Sequence, residues 1–141
     1  MKLCDVNVLV YALRADCEQH ARAVCWLEAL INDPATYAVS PQILGSLVRV
    51  VTNPRIFRNP TGLSEVMDFC DVLMSQPNAT LLFPGDRHWK IFQNYCEQLN
   101  LSGNIVQDAW WAALALEWGC EWVSLDGDFG RFPGLNWSQP F

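Results

Sequence analysis

The sequence predicts an α/β fold in which a central parallel sheet is covered by helices on both faces. Short apolar segments that are typical of strands alternate along the chain with longer amphipathic segments that are typical of helices. This alternation favours parallel strands joined by helical crossovers, which gives three layers in the order α/β/α. We expect one domain over residues 1–141, because a chain of this length can bury a sizeable core.

The first half of the chain contains two predicted strands and three predicted helices. The elements are a strand over 1–4, a helix over "VNVLVYALR", a helix from Glu18 to Ile31, a strand over "TYAV" and a helix over 40–51. In the second helix we expect one side to face the core, made of Ala21, Val24, Cys25, Leu27 and Ile31. The third helix has Ser40 as a predicted N-cap and Pro41 in its first turn, a favourable pair for starting a helix.

The second half continues the alternation with three helices and two strands. The elements are a helix from Leu63 to Ser75, a strand over "ATLLF", a helix capped by Asp86, a helix from Ile105 to Trp118 and a strand over "EWVSL". Asn104 and Gln107 have the spacing of a capping box at the start of the fourth of these elements. Neither half shows a repeat, a low-complexity tract or a linker.

Composition and charge exclude several classes of protein. Half of the residues are hydrophobic and 17% are charged, which excludes a disordered or fibrous chain. No apolar run approaches the roughly 18 residues of a membrane span, and the first residues lack a signal-peptide pattern, so we expect a cytoplasmic protein. The six scattered cysteines predict reduced, mostly buried thiols. A net charge of −6 disfavours unaided binding of nucleic acid and suits acids gathered around a cation or a basic partner.

Four aspartates from three distant segments are predicted to meet at one edge of the sheet. Asp5 ends the first strand, Asp126 and Asp128 follow the last strand in "WVSLDGDFGRF", and Asp108 lies near the start of a helix. Ligands of such sheets bind beyond the carboxyl ends of the strands. Taken singly, each aspartate also fits a turn or a helix N-terminus. Together they would repel one another unless a cation lies between them.

This set of oxygen ligands predicts a hard cation, Mg²⁺ or Mn²⁺, and with it metal-assisted hydrolysis of a phosphodiester. The sequence offers no persuasive protein nucleophile, because Ser124 has no obvious histidine partner. His20 and His88 lie in helical surroundings without a nucleophile motif, so we expect ordinary surface or capping residues.

Four blocks of the chain resemble the PIN-domain ribonucleases, and most of all the VapC-type toxins of bacterial toxin–antitoxin pairs. The blocks are "DVNVLVYALR", "VRVVTNPRIF", "GNIVQDAWWAALALEWG" and "WVSLDGDFGRFPGLNW". The resemblance implies a PIN-like fold, Mg²⁺- or Mn²⁺-dependent cleavage of RNA, a cognate antitoxin and a homodimer. It matches Asp5, Asp108 and Asp126 to the metal-binding acids and Asp128 to a further acid of the catalytic set. Asn7 and Ser124 match the residues that support these acids.

The middle helix departs from the family pattern. Leu44 stands where the family has a second acid, usually a glutamate, and the helix from Ser40 to Val51 has no carboxylate. We interpret Leu44 as a core residue, and we expect a glutamate introduced there to lie on the helix face nearest the other acids. The departure leaves open whether one metal ion binds or two.

Cationic and aromatic residues near the predicted site are candidates for RNA contacts. Arg49 interrupts the apolar middle helix, and Arg55 and Arg58 lie in the loop after it, although all three also fit a solvated surface. Trp110 and Trp111 are adjacent, so they cannot both face the core. One of them can stack on a base, pack into a dimer or stay half-exposed.

Two other functions remain open at this stage. The first is a PIN fold that has lost catalysis together with its glutamate and only engages an antitoxin or RNA. The second is a haloacid-dehalogenase-like phosphatase, which also has an aspartate after its first strand. That chemistry requires a second aspartate two residues later and a lysine further on. Here the second position is Asn7, and Lys2 and Lys90 are the only lysines, which argues against it.

Overall fold

The fold is built on a five-stranded sheet in which every strand is parallel to its neighbours. The computed structural model describes all 141 residues. The strands are β1 (Lys2–Cys4), β2 (Tyr37–Val39), β3 (Ala79–Leu81), β4 (Glu121–Val123) and β5 (Trp137–Ser138). Their order across the sheet is β3-β2-β1-β4-β5. The first strand therefore lies at the centre, between the second and the fourth.

Six α-helices connect and cover these strands. They are α1 (Val6–Leu13), α2 (His20–Asn32), α3 (Pro41–Val51), α4 (Leu63–Ser75), α5 (His88–Gln98) and α6 (Ile105–Glu117), and a 3₁₀ helix covers Gly127–Arg131. Helix α1 packs on α2 and α3, α3 packs on α4, and α5 packs on α6. Right-handed crossovers run one way from β1 to β3 and then back to β4, which puts α1–α4 on one face and α5 and α6 on the other. The predicted α/β/α fold is thus confirmed.

The centre of the sheet is fully buried. Leu3, Ala38 and Trp122 occupy neighbouring positions on β1, β2 and β4, and each is at most 3% exposed. The buried aromatic rings of Phe129 and Phe132 continue this core beneath the 3₁₀ helix. Three of the six cysteines are buried and none forms a disulfide. None of the helices has the length and hydropathy needed to cross a membrane.

Several local predictions from the sequence were wrong. In α2, Ala21 and Cys25 are exposed, and Ala23 is the small residue that faces the core with Leu27. The strand β5 was not predicted, because a strand of two residues carries no periodicity. His88 is 1% exposed rather than a surface residue, and its Nε2 lies 3.0 Å from the Trp110 carbonyl oxygen.

The predicted caps also differ from the observed ones. Ser40 and Asn104 occupy the N-cap positions of α3 and α6, but neither side chain makes a capping hydrogen bond. At the start of α5 the expected Asp86 cap is replaced by the buried carboxylate of Glu117, which accepts from the backbone N–H groups of Gly85 and Arg87 at 2.9 and 3.0 Å. A Cβ on Gly85 would come within 2.6 Å of that carboxylate, so glycine permits this close approach.

Candidate active site

The candidate site lies where the connections of the sheet change direction. The chain leaves β1 toward α1 on one face and leaves β4 toward the 3₁₀ helix on the other face, while β1 and β4 are direct neighbours. A crevice opens at such a switch point, beyond the carboxyl ends of the strands, and it is the usual ligand site of open parallel sheets. Asp5 follows β1 directly, and Ser124 and Asp126 follow β4.

Asp5 is held by a network that joins the two strand ends. It is 8% exposed, and its Oδ2 accepts hydrogen bonds from the Ser124 hydroxyl at 2.6 Å and from the Asn7 amide at 3.0 Å. The Ser124 Oγ also accepts from Asn7 Nδ2 and from the Asp126 backbone N–H, each at 3.0 Å. The hydroxyl therefore uses its one donor and both acceptor positions. The network fixes Asp5 in one orientation, and its Oδ1 makes no side-chain hydrogen bond.

Asp126 lies at the N-cap of the 3₁₀ helix, where its Oδ1 accepts from the backbone N–H of Asp128 at 2.9 Å. Below this turn, Phe129 is 1% exposed and packs against Trp122 with ring centroids 5.2 Å apart. The buried ring anchors the turn to the sheet. One oxygen of Asp126 caps the turn and the other makes no hydrogen bond, so capping leaves it available for a ligand.

Asp128 is the most exposed of the four acids. Its carboxylate pairs with Arg131 at 3.3 Å on the surface, one turn further along. The positive charge of Arg131 also opposes, in small part, the rise in the pKa of Asp108 that burial and the neighbouring acids cause. Arg131 was not among the predicted site residues, although its spacing from Asp128 is that of a helical ion pair.

The electrostatics show that the acids share one region. The pKa of Asp5 is raised to about 6, mainly by burial and in smaller part by the negative charges of Asp108 and Asp126, while the hydrogen bond from Ser124 acts in the opposite direction. Burial also raises the pKa of Asp108 to about 6, with Asp126 and Asp128 adding to the effect. Carboxylates that lie close to one another without a counterion disfavour the charged form. Asp5 thus lies within electrostatic range of Asp108 and Asp126, and Asp108 lies within range of Asp126 and Asp128.

These acids do not form a complete coordination sphere. No three histidine, cysteine, aspartate or glutamate side chains are close enough to hold an ion as a ready-made group. The two observations agree if the site suits Mg²⁺, because this ion keeps several of its own water ligands and takes only one or two carboxylates directly. The donor set is all oxygen, and the central acid has a supporting hydrogen-bond shell, so the residues present fit a hard divalent cation.

Helix α3 contributes no acid to this site. Leu44 is 4% exposed and lines a small internal cavity with Leu3 and Leu9, which agrees with its interpretation as a core residue. A glutamate at this position would therefore point into the core, and the expectation that it would face the other acids is wrong.

Another stripe of α3 faces the site instead. Gln42 accepts a hydrogen bond from Trp110 Nε1 of α6 at 3.1 Å, and Val50 lines a groove together with Asp5. Ser46 lies midway between Gln42 and Val50 at the four-residue spacing of one helix face, and it is half-buried. Ser46 therefore shares the face of α3 that contacts Trp110 at one end and lines the groove with Asp5 at the other.

The predicted RNA contacts remain on the surface. Arg49, Arg55 and Arg58 are exposed, and none of them forms a salt bridge. Of the two adjacent tryptophans, Trp111 is buried in the core. Trp110 is half-buried, and its indole is T-stacked on His88 with ring centroids 4.2 Å apart.

One contact at the site was not predicted from the sequence. The indole N–H of Trp137 on β5 donates to the Ser124 carbonyl oxygen at 3.2 Å, and the Ser124 N–H donates to the Ser138 carbonyl oxygen at 3.0 Å. The last strand therefore holds the backbone at the residue that binds Asp5. This contact could have been predicted only if β5 had been predicted.

Comparison with known proteins agrees with this fold. A family model described as PIN domain matches residues 2–135. Ribonuclease VapC43 of Mycobacterium tuberculosis is 42% identical over 139 residues, which cover 98% of this chain and 95% of that protein. Ribonuclease VapC25 of the same organism is 34% identical over 140 residues, 99% of each chain. The acidic switch point and the sheet order therefore belong to a PIN-domain protein. More narrowly, this chain belongs to the VapC ribonuclease family.

Solved structures of this family share the fold. VapBC2 from Rickettsia felis, bound to a DNA fragment from its promoter, matches with a TM-score of 0.69 at 20% identity and covers 98% of this chain and 97% of that one. VapC20 of Mycobacterium tuberculosis, a Sarcin-Ricin loop cleaving toxin, matches with a TM-score of 0.67 at 14% identity and covers 96% and 98%. At these identities the likeness concerns the fold.

Proposed function

We propose that this protein is a Mg²⁺- or Mn²⁺-dependent endoribonuclease and the toxin of a toxin–antitoxin pair. The observation that carries the proposal is the buried, hydrogen-bonded Asp5 at the switch point, with Asp108 and Asp126 close enough to raise its pKa. Membership of the VapC ribonuclease family supports RNA as the substrate. A metal-dependent hydrolase needs no protein nucleophile, which agrees with the absence of a serine–histidine or cysteine–histidine pair at this site.

In this proposal Asp5, Asp108 and Asp126 hold the cation, and Asp128 is an outer acid of the same catalytic set. A bound divalent cation would activate water and neutralise charge on the scissile phosphate. Asn7 and Ser124 are positioning residues, because they donate to Oδ2 of Asp5 and leave Oδ1 for the cation. A single cation suits the site better than two, since α3 supplies no carboxylate.

Arg49, Arg55 and Arg58 are proposed RNA contacts. They are exposed cations without an acidic partner on a protein of net charge −6. Phosphates are attracted to such free cations, while the surrounding acids repel the rest of the strand. RNA binding should therefore be weak and depend only modestly on salt.

Two protein partners belong to the proposal. Solved relatives are toxin–antitoxin complexes, which supports a cognate antitoxin for this chain. A homodimer is supported by an exposed apolar surface next to the edge strand β3, formed by Leu81, Phe83, Trp89 and Trp118, which are 44–63% exposed. Apolar side chains of this size gather on a surface mainly where another protein covers them. Sedimentation of wild type and Trp89→Ser would test the dimer, which the variant should weaken.

The direct test is a cleavage assay with purified protein and mixed cellular RNA. Cleavage is expected with Mg²⁺ or Mn²⁺ and should stop when EDTA is added. Cleavage that persists in EDTA would contradict the metal dependence. Specific binding of RNA or antitoxin without any cleavage would favour the other reading, a PIN-fold binding module that has lost catalysis together with its α3 acid.

A further inference from the structure

An open groove runs from Asp5 along helix α1. Its volume is about 440 Å³, within the usual range for small-molecule sites. Its lining includes Asp5 and Asn7 together with the apolar side chains of Val10, Val50 and Phe57. The groove therefore combines the central acid of the proposed cation site with an apolar lining.

Phe57 contacts Arg14 as well as lining the groove. The guanidinium of Arg14 lies 3.8 Å from the centre of the Phe57 ring and is itself only 6% exposed. Arg14 is held in turn by a salt bridge to Asp16 and a hydrogen bond to Thr61 Oγ1 at 3.2 Å. These contacts tie the loop after α3 to the end of α1. One face of the ring is covered by the cation, and the ring also lines the groove.

Two exposed arginines lie close in sequence to residues that line the groove. Arg49 precedes Val50 on α3, and Arg55 lies two residues before Phe57. Both are exposed and neither has an acidic partner, although the chain as a whole has a net charge of −6. An apolar groove that contains an aromatic side chain and an acid of the proposed cation site, with two unpaired arginines nearby in the sequence, has groups suited to the parts of a nucleotide: base, scissile phosphate and backbone phosphate.

We propose that this groove is a nucleobase subsite, in which one unstacked base of single-stranded RNA packs against Phe57 while the adjacent phosphate lies at Asp5. Arg14 is a positioning residue that holds the ring. The subsite rests on the proposed ribonuclease function and deepens it, because the groove would select the base next to the cut.

The test compares Phe57→Ala and Phe57→Leu with wild type. Phe69→Ala, which removes a half-buried phenylalanine of α4 outside the groove, is the matched control. The probe is a labelled single-stranded RNA oligonucleotide of mixed sequence. Cleavage is measured with Mn²⁺, and binding is measured in EDTA in an Asp126→Asn background, which keeps the RNA intact and reduces repulsion. Melting temperatures identify any variant that has lost its fold, and Phe57→Leu keeps most of the apolar volume.

Both Phe57 variants are expected to weaken binding and kcat/KM by roughly tenfold, the loss typical of one base–aromatic stack, and to relax the base preference beside the cut. Phe69→Ala should change neither. Wild type that binds RNA through Phe57 without cutting it would support the subsite and overturn the proposed enzyme. Wild type that cuts RNA equally well with alanine or leucine at Phe57 would overturn the subsite alone. Unchanged RNA binding with reduced affinity for a protein partner would likewise overturn it, because the groove would then hold polypeptide.

Discussion

The two sides of the acidic crevice differ in how completely they are built. On the side of β1 and β4, the buried carboxylate of Asp5 accepts two side-chain hydrogen bonds, and the Ser124 hydroxyl donates one hydrogen bond and accepts two. On the side of α3, no carboxylate is present, and the helix offers Gln42, Ser46 and Val50. The proposed cation therefore depends on Asp5 and the side chains that hydrogen-bond to it. Helix α3 lines the crevice but adds no negative charge to it.

The substitution with the greatest expected loss of activity is at Asp5, on the side of β1 and β4. Asp5→Asn should lower the rate of RNA cleavage by about a hundredfold or more, the scale of losing one preorganised electrostatic group. Asp68→Asn removes an exposed acid of α4 and is the matched control, which should cleave at the wild-type rate. Single-turnover cleavage with Mn²⁺ measures both. If the Asp5→Asn variant cleaved RNA at the wild-type rate, Asp5 and its hydrogen-bond network would have only a structural role.

On the side of α3, which has no carboxylate, we expect glutamates introduced at two positions within one turn to have opposite effects on stability and metal binding. Leu44→Glu would bury a charge in the core, which should lower the free energy of unfolding by several kcal/mol. Ser46→Glu would direct its carboxylate toward the other acids, so it should cost much less and should tighten Mn²⁺ binding. Urea unfolding with and without Mn²⁺ distinguishes them, since an ion that binds only the folded state restores stability. Tighter Mn²⁺ binding by Leu44→Glu would reverse our assignment of the two faces.

The pH dependence of stability tests whether the buried Asp5 titrates at a raised pKa. The pKa of Asp5 is raised by burial from 3.8 to about 6, so the folded state holds this proton more tightly than the unfolded chain. Its contribution to stability is therefore full below pH 4 or so and is lost as pH rises through about 6, a change on the order of 2–3 kcal/mol. Asp108 should act in the same direction with a smaller effect, because it is only partly buried.

Thermal unfolding of the metal-free protein across this range provides the measurement. Asp5→Asn should have a flatter profile than wild type between about pH 4 and 7, because asparagine does not titrate. Mg²⁺ should stabilise wild type mainly at the upper end of the range, where the carboxylates are charged. A profile that is unchanged by the Asp5→Asn substitution would indicate that Asp5 does not titrate in this range.

The same contrast explains how much could be predicted from the sequence. The alternation of strands and helices was enough to predict the sheet, since a parallel arrangement follows from the connections alone. Asp5 and Asp126 were found because they follow apolar strands directly, and strand ends converge. These signals are local, and the topology turns them into a shared site.

What could not be predicted depends on contacts between distant segments. The face on which Leu44 lies is set by the packing of α3 on α1, so an alignment of motifs placed it on the wrong side. The Glu117 cap joins the end of α6 to the start of α5, 30 residues apart or more, and no spacing rule indicates it. The Arg14–Phe57 contact and the two-residue β5 are of the same kind. Each needs the folded chain to bring its partners together.

We propose that Asp5 after β1, Asp108 of α6 and Asp126 after β4 together hold a single divalent cation, with no contribution from α3. Calorimetric titration of the metal-free protein with Mn²⁺ at neutral pH tests it most directly. Close to one tightly bound ion per chain is predicted for wild type, and binding should be lost in Asp5→Asn. Two tight ions in wild type, or tight binding that survives the loss of Asp5, would contradict the claim.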